Sequence, residues 1–136
     1  MVAQAECRTL AFTRKILLVE DTPINQVLVQ HLLDRLNQRV VTVENGAEAL
    51  ERIQQEHFDL VFMDIQMPVM DGLTATRRIR DLGLDLPILA LSAYTHPVNQ
   101  AEALSSGCNE FLCKPVRGSA IEAALLRWFG PDQGTR

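Results

Sequence analysis

Asp64 closes the apolar run Leu60-Val61-Phe62-Met63 and precedes the turn-like stretch Gln66-Met67-Pro68-Val69-Met70-Asp71-Gly72. Three other apolar runs end in polar residues in the same way. Ile16-Leu17-Leu18-Val19 ends in Glu20 and Asp21, Ile88-Leu89-Ala90-Leu91 in Ser92, and Phe111-Leu112-Cys113 in Lys114 and Pro115. Carboxylates in such places can ligate a hard divalent cation or act as nucleophiles, and an ammonium and a hydroxyl can donate to an anion. If the four runs are neighbouring parallel strands, all five groups converge on one sheet edge, where open α/β folds bind their ligands. Each residue alone has a plainer reading. An Asp after a strand is commonly a turn or helix-cap residue, Ser92 a strand-end hydroxyl and Lys114 a solvated lysine. The joint pattern is what carries weight.

Strand and helix must alternate to position these groups, and the chain reads that way five times. After the first run, Thr22 can cap a helix and Pro23 can occupy its first position. Ile24, Val27, Leu28, His31, Leu32 and Leu36 then recur at helical spacing as an amphipathic stripe. Arg39 to Glu44, rich in β-branched residues, reads as a second strand, and Asn45-Gly46 breaks it before a helix from Ala47 to Glu56. The third strand is the run that ends at Asp64. Leu73 to Leu82 is helical in composition and stopped by Gly83, and Leu86 to Leu91 forms the fourth strand, with Pro87 at a tolerated position near its start. A polar helix from Pro97 to Ser106 follows, then a strand near Glu110 to Cys113 and a last helix from about Ser119 to Phe129.

Near-continuous apolar runs mark strands covered on both faces, so the expected class is a three-layer α/β sandwich of the flavodoxin-like (βα)5 type, with a parallel five-stranded sheet of order 2-1-3-4-5. Its ligand site lies where the first and third strands diverge, the two that deliver Asp21 and Asp64. Residues 1–13 are expected to be a linker or tail, 14–129 the domain and 130–136 a C-terminal tail.

Composition narrows the function. The chain has 136 residues, 47% hydrophobic and 22% charged, enough for one core. A net charge of -4, with no Lys/Arg-rich run, argues against direct nucleic-acid binding. No apolar stretch approaches the roughly 20 residues that span a bilayer, and Met1 to Arg14 has no apolar signal core, so this segment is expected to be cytoplasmic, even if a parent protein is membrane-anchored. Cys7, Cys108 and Cys113 are odd in number and lack metal-ligand spacing, which suits free thiols, with Cys113 expected as a buried strand thiol. His31, His57 and His96 share no spacing and are expected at the surface.

Taken together, Val19-Glu20-Asp21, the stretch from Met63-Asp64 through Met67-Pro68 to Met70-Asp71-Gly72, Leu91-Ser92-Ala93 and Lys114-Pro115 resemble, in order and spacing, the response-regulator receiver domain of two-component signalling. The resemblance covers roughly residues 15 to 129. Glu20-Asp21 followed by Asn25-Gln26 is most similar to receivers of hybrid sensor histidine kinases.

That resemblance implies a phosphorelay role. Asp64 would accept a phosphoryl group from phosphohistidine as an acyl phosphate. Mg²⁺, or Mn²⁺ in its place, would offset the repulsion between anions, with Asp21 and Asp64 as direct ligands, the Gln66 backbone carbonyl as a third, and Glu20 acting through water. The crowded carboxylates should raise the proton affinity of at least one of them until the metal binds. Lys114 would pair with one phosphoryl oxygen and Ser92 donate to another, transfer being mostly positioning and charge neutralisation. The family's cis bond before the position of Pro115 would aim Lys114 into the pocket. Phe111, matching the switch aromatic, would turn inward as Ser92 moves, changing the surface of the fourth helix, fifth strand and fifth helix; a weak homodimer through that surface fits the same picture. Gln66 and Tyr94 flank the water path, and their size implies slow to intermediate loss of the phosphoryl group. A histidine kinase or histidine phosphotransfer domain would dock near Ile24, Asn25 and Leu28, beside the loop at Pro115.

Other functions on the same topology fit less well. An adaptor independent of phosphorylation would be favoured by a missing acceptor, metal or lysine position, and none is missing. A flavin phosphate needs a Gly/Ser/Thr-rich loop where Glu20 and Asp21 would repel it. An aspartyl-phosphate hydrolase would carry a second Asp where Gln66 stands, so the chain is expected to catalyse its own phosphorylation and dephosphorylation without being a turnover enzyme. No output module is read after Phe129, which leaves a free-standing regulator, a receiver of a hybrid histidine kinase or a relay intermediate; the Glu20-Asp21 and Asn25-Gln26 signature and the unpatterned residues 1–13 make the hybrid-kinase receiver the expected setting.

Overall fold

The computed structural model describes residues 10–65, 67, 70–93 and 97–130, the side chains of 97–99 apart. In chain order the elements are β1 (Lys15–Val19), α1 (Pro23–Arg35), β2 (Arg39–Val43), α2 (Gly46–Gln55), β3 (Leu60–Asp64), α3 (Gly72–Asp81), β4 (Ile88–Ser92), α4 (Pro97–Ser106), β5 (Glu110–Cys113) and α5 (Gly118–Phe129). The strands form one sheet in the order β2-β1-β3-β4-β5, every pairing parallel, as the apolar runs required.

Period-2 alternation splits the central strands between two cores. Leu17, Val19, Val61, Met63, Ile88 and Ala90 face the layer that includes Ala49 and Ile53 of α2, Ala75 and Ile79 of α3, and Ala103 of α4. Ile16, Leu18, Leu60, Phe62, Leu89 and Leu91 face Val29 and Leu33 of α1 and Ile121, Ala124 and Leu125 of α5. Strands wetted on neither face need no polar positions, so β3 and β4 are buried throughout. The carboxylate and hydroxyl at their last positions are therefore polar for a reason other than solvation.

Helix α1 differs from its sequence reading. Val29, Leu33 and Leu36 are buried and Leu32 packs partly against the same core, whereas Ile24 is 76% exposed, Val27 65% and Leu28 39%. The helix is apolar on most of its circumference, so spacing alone selects no face. Pro23 opens it as expected, but the Thr22 side chain makes no capping bond; its backbone N–H donates to Glu20 Oε2 at 3.1 Å.

Residues 10–13, which read as linker, lie against the domain. Leu10 is buried, its amide donates to the Leu36 carbonyl at 3.5 Å, and the Phe12 carbonyl accepts from Gln38 Nε2 at 2.8 Å. The Arg14 guanidinium sits over the rings of both Phe12 and Phe129, at 5.3 and 4.9 Å. At the far end of the sheet Arg80 binds the carbonyls of Leu84, Leu86 and Gly107 and Oδ1 of Asn109, which also accepts from the Ile88 amide. These bonds fix where β4 and β5 begin.

Cys113 corrects an expectation: it is exposed, because β5 is an edge strand whose last residue has no layer over it. Cys108 is buried beside Thr76, and burial pushes its thiol pKa up, against the smaller opposing pull of Thr76 and Arg80. Alkylation of the native chain at pH 8, followed by peptide mapping, should modify Cys113 at least tenfold faster than Cys108. Equal rates would contradict the packing described.

Candidate functional site

Register brings the polar strand ends together. β1 and β3 are paired through Val19 and Met63, so Glu20 and Asp64 leave the sheet side by side, and Asp64 stands opposite Leu91, one residue before Ser92. The ladder continues past β5 by one bond, from the Lys114 amide to the Ser92 carbonyl at 2.8 Å. Glu20, Asp64 and Ser92 are buried, Asp21 and Lys114 half-buried.

One carboxylate oxygen from each of Glu20, Asp21 and Asp64 lies within 4.8 Å of the others, the one acidic group of this kind among the described residues. Lys114 Nζ lies 2.9 Å from Glu20 Oε1 and 3.1 Å from Asp64 Oδ2. The site thus gathers three negative charges around a single positive one. Glu20 Oε1 is buried without a hydrogen bond and has only that ion pair, an under-satisfied oxygen aimed into the cluster. A surplus of two negative charges on hard oxygen donors suits a divalent cation such as Mg²⁺, for which Asp21 and Asp64 offer direct ligands.

Burial alone would raise the Glu20 pKa, but the Lys114 ammonium and the Thr22 amide outweigh it, and the carboxyl lies below its usual range. Burial would lower the Lys114 pKa, yet the bond to Glu20 and the charge of Asp64 hold it above the ordinary lysine value. The depressed carboxylate contributes stability above its ordinary pKa and loses it as pH falls through the lowered value. The raised lysine contributes below its ordinary pKa and loses it as pH rises through the higher one. The pair is intact across the neutral range.

Two positions beside Asp64 were read only as turn chemistry. Asp71 caps α3, its Oδ1 accepting from the Thr74 amide at 2.8 Å. Gly72 does more: a Cβ there would stand 2.2 Å from the Asp64 carbonyl oxygen and 2.7 Å from Ile65 Cα. Only a glycine lets α3 start this close beneath Asp64. The signal was present in the sequence, since Asp71 already supplies the cap and leaves the glycine without a conformational duty.

The remaining expected residues fall as follows. Phe111 is half-buried against the core of the α2–α4 layer, and the Lys114–Pro115 bond is cis. A cleft beside the carboxylates is lined by Glu20, Asn25, Leu28, Lys114, Pro115 and Val116, joining the site to the exposed apolar face of α1. Gln66 and Tyr94 lie outside the described residues, as do Pro68, Val69 and His96. His31 and His57 are exposed. Among the described residues no helix is long and apolar enough to cross a membrane.

Comparison with known proteins agrees with this geometry. A family model described as "Response regulator receiver domain" matches residues 16–126. The sensor histidine kinase GacS of Pseudomonas protegens is 40% identical over 121 residues, 85% of this chain but only 13% of that kinase, so the chain spans a small part of such relatives. Among solved structures, the receiver domain of sensor histidine kinase PA1611 from Pseudomonas aeruginosa, with magnesium coordinated in its active-site cleft, is 36% identical with a TM-score of 0.81, covering 88% of this chain and 99% of that one. The receiver domain of the response regulator Ssk1 from Saccharomyces cerevisiae, solved with the histidine phosphotransfer protein Ypd1, is 31% identical at a TM-score of 0.81, covering 85% and 88%. The protein belongs to the response-regulator receiver domain family.

Proposed function

We propose that this chain is the phosphoacceptor of a phosphorelay, taking a phosphoryl group from phosphohistidine onto Asp64. The observation that carries this reading is the meeting of Glu20, Asp21 and Asp64 within 4.8 Å, with Lys114 bridging two of them. An Asp64 carboxylate oxygen attacks phosphorus, the P–N bond to the histidine ring breaks, and the ring nitrogen leaves with the electron pair and is protonated. Mg²⁺, when bound, supplies the positive charge that allows one anion to approach another. Asp21 and Asp64 would hold that ion directly, with the Gln66 backbone carbonyl as a third ligand and Glu20 reaching it through water, as the family resemblance implies. As charge shifts onto the phosphoryl oxygens, Lys114 exchanges its contact with Asp64 for one of them, and Ser92 donates to another.

The same step switches a surface. Ser92 moves toward the phosphoryl group and Phe111, now half-buried, fills the space released, shifting α4, β5 and α5 between two arrangements. On that face Glu110 is already engaged by Arg127 and by Trp128 Nε1. Self-association through it would therefore be weak and rely on apolar groups such as Leu104. The size of the residues at positions 66 and 94, Gln and Tyr, favours a slow to intermediate lifetime for the acyl phosphate. The setting that fits best is a receiver within a hybrid histidine kinase.

Ile24, Val27 and Leu28 form an exposed apolar strip that runs into the cleft at Pro115. A strip of this kind marks a protein-binding surface. A histidine phosphotransfer domain or kinase docks there, its phosphohistidine facing Asp64.

Incubation with acetyl phosphate and Mg²⁺, read by intact mass, should add one phosphoryl group to the parent and none to Asp64→Asn or to the parent in EDTA. Labelling of Asp64→Asn, or labelling independent of metal, would refute the assignment. Ile24→Asp should slow transfer from a phosphorylated histidine phosphotransfer domain by about tenfold or more, as expected for an anchor worth over 1 kcal/mol, while leaving acetyl phosphate labelling unchanged. Equal loss with both donors would place Ile24 in the chemistry and not in docking.

A further inference from the structure

We infer that Gly46, on a different helix from the acceptor, is a positioning residue for Asp64; the inference rests on the function proposed above and extends it. The segment between Asp64 and α3 is held at two points. At one, the Gly72 amide donates to the Ile65 carbonyl at 3.3 Å, and a Cβ on Gly72 would stand 2.2 Å from the Asp64 carbonyl oxygen. At the other, the Gly46 amide donates to the Met70 carbonyl at 3.1 Å.

Gly46 is buried at the first position of α2, and nothing in its local backbone demands glycine. Asn45 makes the turn and caps the helix, its Oδ1 accepting from the Glu48 amide at 2.9 Å, and Gly46 is not among the residues with positive φ. A glycine inside a helix start costs backbone entropy, so space must be the reason for it. A Cβ at this position would stand 2.8 Å from Met70 O, 2.9 Å from Ala75 Cβ and 3.0 Å from Met70 Cγ. Met70 Cγ can swing aside, but the Met70 carbonyl is backbone and Ala75 is fixed in the core of α3. The loop itself must give way. Its displacement reaches Asp64 through Gly72, which has no clearance from the acceptor's carbonyl. The two glycines repeat one arrangement: a cap residue followed by a glycine that makes room for backbone.

Group transfer tolerates such shifts poorly, a misplacement of about 1 Å costing as much as 100-fold. In Gly46→Ala the Mg²⁺ concentration that half-saturates labelling by acetyl phosphate is expected to rise about tenfold, with a several-fold lower maximal rate. Ile53→Val, a buried change on the same helix away from the loop, lowers thermal stability without moving that midpoint. The double variant Gly46→Ala/Ala75→Gly removes one of the three contacts and serves if the single variant does not fold; its midpoint should still exceed that of Ala75→Gly several-fold. A Gly46→Ala midpoint equal to the parent's, or a shift that Ile53→Val reproduces at matched melting temperature, would overturn the positioning role alone. A parent chain that takes no phosphoryl group would overturn the proposed function and this inference with it.

Discussion

Mutual repulsion of carboxylates is the constraint around which this domain is arranged. Glu20, Asp21 and Asp64 bring oxygens within 4.8 Å of one another at a largely buried sheet edge. At an effective dielectric of about 20, each such pair costs roughly 3 kcal/mol, a large fraction of a small domain's net stability. Lys114 offsets part of it by contacting Glu20 and Asp64 together. What remains is a standing deficit of positive charge, which, on the proposed function, a divalent cation would meet and the phosphoryl group would follow.

A parallel sheet covered on both faces is well suited to enforcing this arrangement. Its central strands β1, β3 and β4 are buried along nearly all their length, so they cannot shift register without moving every side chain to the wrong core. The carboxylates are therefore held together by the burial of Leu17, Val61, Phe62, Leu89 and their neighbours, not by any attraction of their own. Glycines 46 and 72 extend the same logic to the loop, where close backbone contacts replace side-chain packing.

Much of this was legible in the residue pattern because each strand end switches abruptly from apolar to polar. Five elements of each kind follow from that switch, and the convergence of Glu20, Asp21, Asp64 and Lys114 follows once the order 2-1-3-4-5 is adopted from the flavodoxin-like class, one of the few that right-handed crossovers leave. Other features were hidden for identifiable reasons. The buried face of α1 could not be chosen because Ile24, Val27 and Leu28 are as apolar as Val29 and Leu33, and the excess apolarity belongs to an exposed strip. Cys113 looked like core because strand composition does not reveal which strand lies at an edge. The packing of Leu10 and Phe12 depends on Gln38, Arg14 and Phe129, contacts between distant segments that no local pattern encodes. Asn-Gly and Asp-Gly read as turns; a capping residue before each glycine hints that the glycine serves another purpose, but which backbone it makes room for is set by tertiary packing.

The measurement that bears most directly on the charge deficit is thermal unfolding of the parent and Asp21→Asn, each in EDTA and in millimolar Mg²⁺. Removing one negative charge without changing shape should relieve repulsion and remove a metal ligand together. The account expects Asp21→Asn to melt above the parent in EDTA, and Mg²⁺ to raise the parent's melting temperature while leaving the variant's nearly unchanged. A variant that melts below the parent without metal, or that gains as much from Mg²⁺, would contradict it.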